Sequence, residues 1–392
     1  MRNCEKLISK LKNKEEEFAY IKELIKDKEL FFAFRENYIN VYYMGGNLAK
    51  IGFNKSKEVY FELHKKYVQP NEDKYPKTGG NNYVRLSWRQ HKEEMRNIRA
   101  NIKRIAEGFK EDGSKGRKSS REKICQQWII NNTNTKNGDW YYVDMEYIQK
   151  GNPLGRFDMI AIKRTKDENK KHKVALIELK VGTKSYGSMD GTRYSKNEEK
   201  KIKYDNIKAG SLYDYNKREN YISYGSGLLG HLCDYMRYLS TEAYNEFLKQ
   251  EIVNQIKALK ELGGVLDERV GEIADINMLS DKPEVYFLSF SKVPGLKERN
   301  VSKKKMRDTF YKYLYADDET IARKYRIENC SEYSAESMLN EKEIKGLLDI
   351  KSEFLQIDNP SFELEIGKTK GKYRFNCVFV DADKEGKKEY LF

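Results

Sequence analysis

Residues Gly155 to Val181 read GRFDMIAIKRTKDENKKHKVALIELKV, two apolar runs separated by a polar, turn-rich segment. Each run is short, rich in isoleucine and valine and bounded by charge, so the stretch reads as a β-hairpin turning within KDENKKHK. Its acids keep unusual company. Asp158 lies between Phe157 and Met159, and Glu178 between Ile177 and Leu179. A carboxylate in such surroundings loses its hydration and is retained where it is paired or coordinates a cation.

Just upstream, DWYYVDMEYIQ forms a further strand with Glu146 in similar surroundings. If the intervening GNP turn centres near Asn152, Glu146 lies roughly opposite Asp158; a second turn near Glu168 and Asn169 sets Asp158 roughly opposite Glu178. A slip of one residue would move a side chain to the other face. Glu178 and Lys180 are two apart and share a side. Carboxylates and a lysine converging on one sheet edge suit phosphodiester hydrolysis. Asp158 and Glu178 would hold Mg²⁺, or Mn²⁺, through hard oxygen ligands, with the backbone carbonyl of Leu179 as an extra ligand. Lys180 would orient or help deprotonate a water and offset charge in the transition state. The plainer alternative for Glu178 and Lys180 alone is an ordinary ion pair on an exposed strand face.

The hairpin as a whole, Gly-Arg-Phe-Asp-Met-Ile-Ala, a turn, then Val-Ala-Leu-Ile-Glu-Leu-Lys, resembles the PD-(D/E)XK nuclease superfamily, over residues 119 to about 292. The resemblance implies an α/β (α+β) protein with a restriction-endonuclease-like core: a helix, three antiparallel-linked strands, a helix and a further strand, in a mixed sheet flanked by helices. It makes Asp158 the motif aspartate and Glu178 and Lys180 its E-x-K, and it implies metal-dependent cleavage of nucleic acid. Phe157 stands where the motif has proline. For the additional acid, Glu122 in SSREKICQQ matches the glutamate many members carry on the first core helix, while the hairpin register favours Glu146. Members often carry Q-x-x-x-Y on the helix after E-x-K; here His231-Leu-Cys-Asp-Tyr235 takes that place. His231, Asp234 and Tyr235 would line one helical sector, with His231 able to contact a phosphate or a water and Asp234 able to fix its tautomer.

That helix opens within YGSGLLGHLCDYMRYL, whose Gly225, Gly227 and Gly230 spell G-x-G-x-x-G. A dinucleotide-binding turn needs a buried strand running into the glycines. The preceding KRENYIS is too short and polar for that, so the glycines read as a close turn with Ser226 as the helix N-cap.

The flanks fall into two further units, giving boundaries at 1–112, 113–296 and 297–392. Apolar residues at helical spacing over 3–28 predict an amphipathic helix. Short alternating strands over 30–68 predict an antiparallel meander, with its aromatics as core, and residues 86–109 predict a long basic helix. The C-terminal extension predicts a basic helix at SKKKMRDTFYKYL, another from about Glu341 to Leu355, and a strand pair in SFELEIG and YRFNCVFVD. Lysine and arginine outnumber aspartate and glutamate by 75 to 61 in 392 residues, a net charge of +14 that suits a polyanionic partner. Phosphate contacts are expected from 86–109, the 196–208 insertion and Lys303 to Lys305. Cys4, Cys125, Cys233, Cys330 and Cys377 have neither zinc-site nor disulfide spacing. No window approaches the roughly 18 apolar residues of a membrane span, so the expectation is a cytoplasmic protein. The function expected is that of a nuclease, with DNA favoured over RNA, cutting internally in prokaryotic antiviral defence or restriction; a homodimer would suit double-strand cutting. The alternative is a nucleic-acid-binding protein with a degenerate nuclease core.

Overall fold

The computed structural model describes residues 5–68, 82–108, 121–135, 138–149, 155–183, 211–214, 219–222, 231, 235, 238–239, 242–264, 266–297, 299–314, 361–366 and 371–382. It is a mixed α/β protein built on two large sheets. The N-terminal amphipathic stretch divides into α1 (Glu5–Lys12) and α2 (Glu15–Leu24), broken at Asn13, a weak helix former. Leu7, Ile8, Leu11, Ile21 and Leu24 then pack on one face of a five-stranded antiparallel meander. Its strands are β1 (Phe31–Phe34), β2 (Tyr38–Tyr43), β3 (Gly46–Phe53), β4 (Val59–His64) and β5 (Tyr83–Leu86). The fifth strand is an addition to the sequence reading. It leads through Ser87 into α3 (Trp88–Ala106), where Ser87 and Gln90 form a reciprocal capping box.

The second sheet has six strands in the order β12-β13-β11-β8-β7-β6. They are β6 (Trp140–Ile148), β7 (Arg156–Lys166), β8 (His172–Val181), β11 (Glu284–Phe290), β12 (Ser361–Ile366) and β13 (Gly371–Val380); β9 (Ser211–Asp214) and β10 (Glu219–Ile222) form a separate pair. Strands β6, β7 and β8 are antiparallel neighbours, whereas β11 runs parallel to both β8 and β13. One face is covered by α4 (Arg121–Asn134) through Ile124, Cys125, Ile129 and Ile130. The opposite face is covered by the helical residues Tyr235, Tyr238 and Leu239, and by α5 (Lys249–Glu261), which continues from a π-helical turn at Tyr244–Leu248. The short α6 (Glu268–Gly271) and α7 (Lys303–Leu314) complete that layer.

Two sequence-based boundaries change. The extension beyond residue 297 is not separate from the core. β13 is buried as a parallel neighbour of β11, its Phe375, Cys377 and Phe379 entering the same cluster as Met306 and Phe310 of α7. Nor is the N-terminal unit set apart. Phe31, Ala33 and Tyr42 turn away from α1 and α2 and pack against α4, and Ala258 and Leu262 of α5 enter the N-terminal core. Gly45 makes the docking possible: a Cβ there would stand 2.5 Å from the Ile124 nitrogen, and its φ of +71° suits glycine. Its N–H donates to Gln127 Oε1 at 2.7 Å, while Gln127 Nε2 donates to the Glu29 and Tyr42 carbonyls. The helix expected around Glu341 to Leu355 and most of the 184–220 insertion lie outside the described residues.

Candidate active site

Side-chain alternation along β6 is interrupted by a bulge between Tyr142 and Asp144, and along both β6 and β7 it fails again nearer the strand ends. Met145 and Met159 are paired and pack on the α4 side; Tyr147 and Phe157, also paired, pack on the opposite side against Tyr235 and Tyr238. Residues two apart on a regular strand share a face, so both strands roll over between these pairs, at Glu146 and Asp158. Glu146 accommodates the roll with a left-handed backbone, φ +53°, which costs a non-glycine residue about 1–2 kcal/mol. Its carboxylate meets Lys123 of α4 at 2.9 Å.

The ladder between β7 and β8 closes at the pair Met159–Ile177, whose register, one step further, sets Asp158 opposite Glu178. There the Asp158 side chain takes the place of a backbone acceptor: the Leu179 N–H donates to Asp158 Oδ2 at 2.7 Å. On β8, Glu178 and Lys180 are both buried, and Lys180 Nζ donates to Glu178 Oε1 at 2.5 Å. His231 Nε2 lies 3.2 Å from the same oxygen, and the buried Tyr235 hydroxyl donates to Glu178 Oε2 at 2.8 Å. The stacking of Tyr235 on Phe287 of β11 and its edge contact with Phe157 fix that hydroxyl. Glu122, at the start of α4, is 4.0 Å from Lys180.

The electrostatics of this group are unbalanced. Burial and the neighbouring Glu178 charge push the Asp158 carboxyl well above its ordinary value, and burial raises Glu122 despite Lys180. For Glu178 burial acts upward too, but His231, Lys180 and the Tyr235 hydroxyl together hold it below the ordinary value. Its carboxylate raises the Lys180 ammonium against the pull of burial, with Asp158 and Glu122 contributing. Lys180 is thus a charged group at neutral pH.

The structure therefore brings Asp158, Glu178, Lys180, His231 and Tyr235 into one cluster, with Glu122 and Glu146 at its rim on the α4 side. Asp234 lies outside the described residues, and Leu179 is fully buried between Glu178 and Lys180. Among the described residues, no three acids, histidines or cysteines stand close enough together to hold an ion as they are placed. The groups present are hard carboxylate oxygens, the ligand type that divalent magnesium and manganese take, and burial followed by the Glu178 charge keeps Asp158 raised.

Three residues absent from the sequence reading hold this end of β6. Arg35, at the end of β1, donates through Nη1 to both Asp144 oxygens at 2.8 and 2.9 Å. Its Nη2 donates to the carbonyls of Met145 at 2.8 Å and Glu146 at 3.2 Å. Gln255 of α5 donates to Asp144 Oδ2 at 2.7 Å. The left-handed residue that turns Glu146 is thus gripped through its own carbonyl by the N-terminal sheet. The one sequence signal was a second acid, Asp144, in the apolar run that contains Glu146.

No family model, curated protein or solved structure matches the chain. The described residues contain no helix long and apolar enough to cross a membrane.

Proposed function

We propose that the chain is a metal-dependent nuclease that hydrolyses phosphodiester bonds in nucleic acid, with DNA favoured over RNA. The observation that carries this reading is the buried Asp158–Glu178–Lys180 cluster at the rolled end of an antiparallel hairpin, where two carboxylates face each other and burial with their mutual repulsion raises Asp158. The mixed sheet, with the helix bearing Tyr235 on one face and α4 on the other, is the surrounding that a restriction-endonuclease-like core would give that cluster.

Asp158 and Glu178, with Glu146 or Glu122, would hold Mg²⁺ or Mn²⁺, and the Leu179 carbonyl is a further oxygen beside them. Such an ion supplies positive charge to the phosphoryl oxygens and a more acidic water. Lys180, its ammonium held charged by Glu178, would offset the increased charge of the transition state and supply a donor that orients the attacking water. Tyr235 and His231 fix the two oxygens of Glu178, so that carboxylate is presented in one orientation. His231 is less buried than Tyr235 and would be open to an incoming phosphate. The net charge of +14 supports a polyanionic substrate. An endonuclease of prokaryotic antiviral defence, working in the cytoplasm as a monomer or homodimer, is the setting that this chemistry fits.

The test is a cleavage panel over supercoiled, linear and single-stranded DNA and over RNA, with Mg²⁺ or Mn²⁺, set against Glu178→Ala. Cleavage that needs the ion and is lost in the variant supports the proposal. The saturation of Glu178 by Lys180, His231 and Tyr235 favours one other reading, a nucleic-acid-binding protein whose core does not cut. Binding to the same substrates with no cleavage under either ion would select it.

A further inference from the structure

The N-terminal meander has one face on its own core and another that is only partly used. On that second face, register carries a row straight across the sheet: Ala33 beside Asn40, Asn40 beside Lys50, Lys50 beside Glu62 and Glu62 beside Arg85. The row begins under α4, where Ala33 is buried, and then emerges: the side chains of Lys50 and Arg85 are 32% and 37% exposed. Glu62 lies beneath them and bonds both, at 3.6 Å to Lys50 and 3.1 Å to Arg85, so two cations share one carboxylate and the row keeps a net positive charge. The parallel row is Tyr38, Gly52 and Tyr60. A Cβ on Gly52 would fall 2.7 Å from the Tyr60 hydroxyl, so glycine lets that ring lie across the sheet. The Arg85 guanidinium sits 4.1 Å from the centre of the Tyr60 ring, and Lys50 Nζ 4.4 Å from that of Tyr38.

Two cation-on-ring pairs standing side by side on one sheet face combine the features that hold single-stranded nucleic acid: planar groups on which bases stack, whatever their sequence, and fixed positive charge for the backbone. A duplex keeps its bases stacked on one another and offers no such planes. The position adds a second argument. Tyr38 shares a backbone hydrogen bond with Arg35, N–H to carbonyl at 2.8 Å, and Arg35 is the residue that grips the Glu146 carbonyl. One end of the face is therefore joined, through Arg35, to the strand that carries Glu146.

We propose that the outward face of β2 to β5, carried by Tyr38, Lys50, Tyr60 and Arg85, is a track that binds single-stranded nucleic acid and leads it to the acid cluster. As a route to a cutting site it rests on the nuclease reading; as a binding surface it stands without it. The shared chemistry is that of an unpaired polynucleotide, and the experiment distinguishes DNA from RNA.

The test is fluorescence anisotropy of labelled oligothymidylate and oligouridylate, about 20 nucleotides long to exceed one site, and of a DNA duplex of equal length. The full chain is used in EDTA, so that nothing is cut. The expected result is tighter binding of a single strand than of duplex, weakened about tenfold or more by Tyr60→Ala and by Arg85→Ala, and preserved in Tyr60→Phe, which keeps the ring. Thermal unfolding of each variant, expected to match the parent, shows that the loss is local. Binding by Tyr60→Ala and Arg85→Ala within about twofold of the parent, equal affinity for duplex, or no binding of any oligonucleotide would each overturn the proposal. Failure of the nuclease reading looks different: the track binds as expected, yet Mg²⁺ and Mn²⁺ produce no cleavage.

Discussion

Strand β6 carries two acids two residues apart, and they end in opposite kinds of surroundings. Asp144 is fully buried and fully matched, with Arg35 across both oxygens and Gln255 on one of them. Glu146 is paired with the half-exposed Lys123, while its neighbours Asp158, Glu178 and Glu122 share Lys180 and His231, and burial together with mutual repulsion holds Asp158 well above its ordinary value. The first arrangement has the balance of a structural joint between the N-terminal sheet and the core. In the second, two buried carboxylates face each other and Asp158 is pushed toward its neutral form, a repulsion that the proposed cation would relieve. Burial alone does not distinguish a joint from a candidate reactive centre; carboxylates that repel one another and shift each other's protonation do.

The sharpest way to break this distinction is to remove one charge from each group. At the site, Asp158→Asn or Glu178→Ala is expected to lower cleavage at least about a thousandfold, the loss that follows removal of a main electrostatic stabiliser. For Asp158→Asn the unfolding midpoint without divalent ions should not fall, because the repulsion with Glu178 goes too. Near-normal cleavage by Asp158→Asn would remove the assignment. At the joint, Arg35→Gln or Asp144→Asn is expected to cost about 3–5 kcal/mol of stability, since each strands a buried partner. Urea unfolding measures it, and a loss under about 1 kcal/mol would show that the pair is solvated like a surface bridge.

The two groups were unequally legible in sequence. The hairpin of β7 and β8 could be read because a two-residue period, a charged turn and acids in apolar runs are local signals, and its register follows from turn length. Arg35 carries no such mark: its partner lies 109 residues away, and an Arg-Glu-Asn turn looks like any other. Tyr235, 57 residues from Glu178, was found through a resemblance of pattern and not through periodicity. The roll at Glu146 could not be read at all, because a left-handed glutamate is imposed by Arg35, Lys123 and the flanking side chains. The separation of residues 297–392 failed for a similar reason. β13 acquires its burial from β11, which precedes it by about 90 residues, so nothing local distinguishes it from a strand of a separate unit.

A third buried ionisable group sharpens the contrast, because it is held neutral. His91 is completely buried, stacked on Phe61 and bonded to the Tyr20 hydroxyl at 2.9 Å, and burial lowers it to about 4. Above its ordinary value of 6.5 it is uncharged in both folded and unfolded chains and contributes no pH dependence. As pH falls from there toward 4, the unfolded chain takes up a proton that the folded one refuses, so stability drops, by about 3 kcal/mol across the window. Denaturant unfolding at a series of pH values should show this slope in the parent and a flatter one in His91→Gln. An unchanged slope in the variant would assign the acid sensitivity elsewhere.

The smallest effect tests the roll itself. Alanine ordinarily makes a strand more stable than glycine does, because glycine has more conformational freedom to lose. At position 146 the order should invert. Glu146→Gly removes both the carboxylate and the objection to φ +53°, whereas Glu146→Ala removes the carboxylate and keeps the objection, so the glycine variant should be the more stable by about 1 kcal/mol. Both variants lose any ion held through Glu146, and their cleavage should fall together; if Glu122 supplies the third carboxylate, cleavage in both should stay near the parent. Equal or greater stability in the alanine variant would mean that β6 can run straight through this point. Arg35 would then be a joint between two sheets with no hold on how Glu146 faces the site.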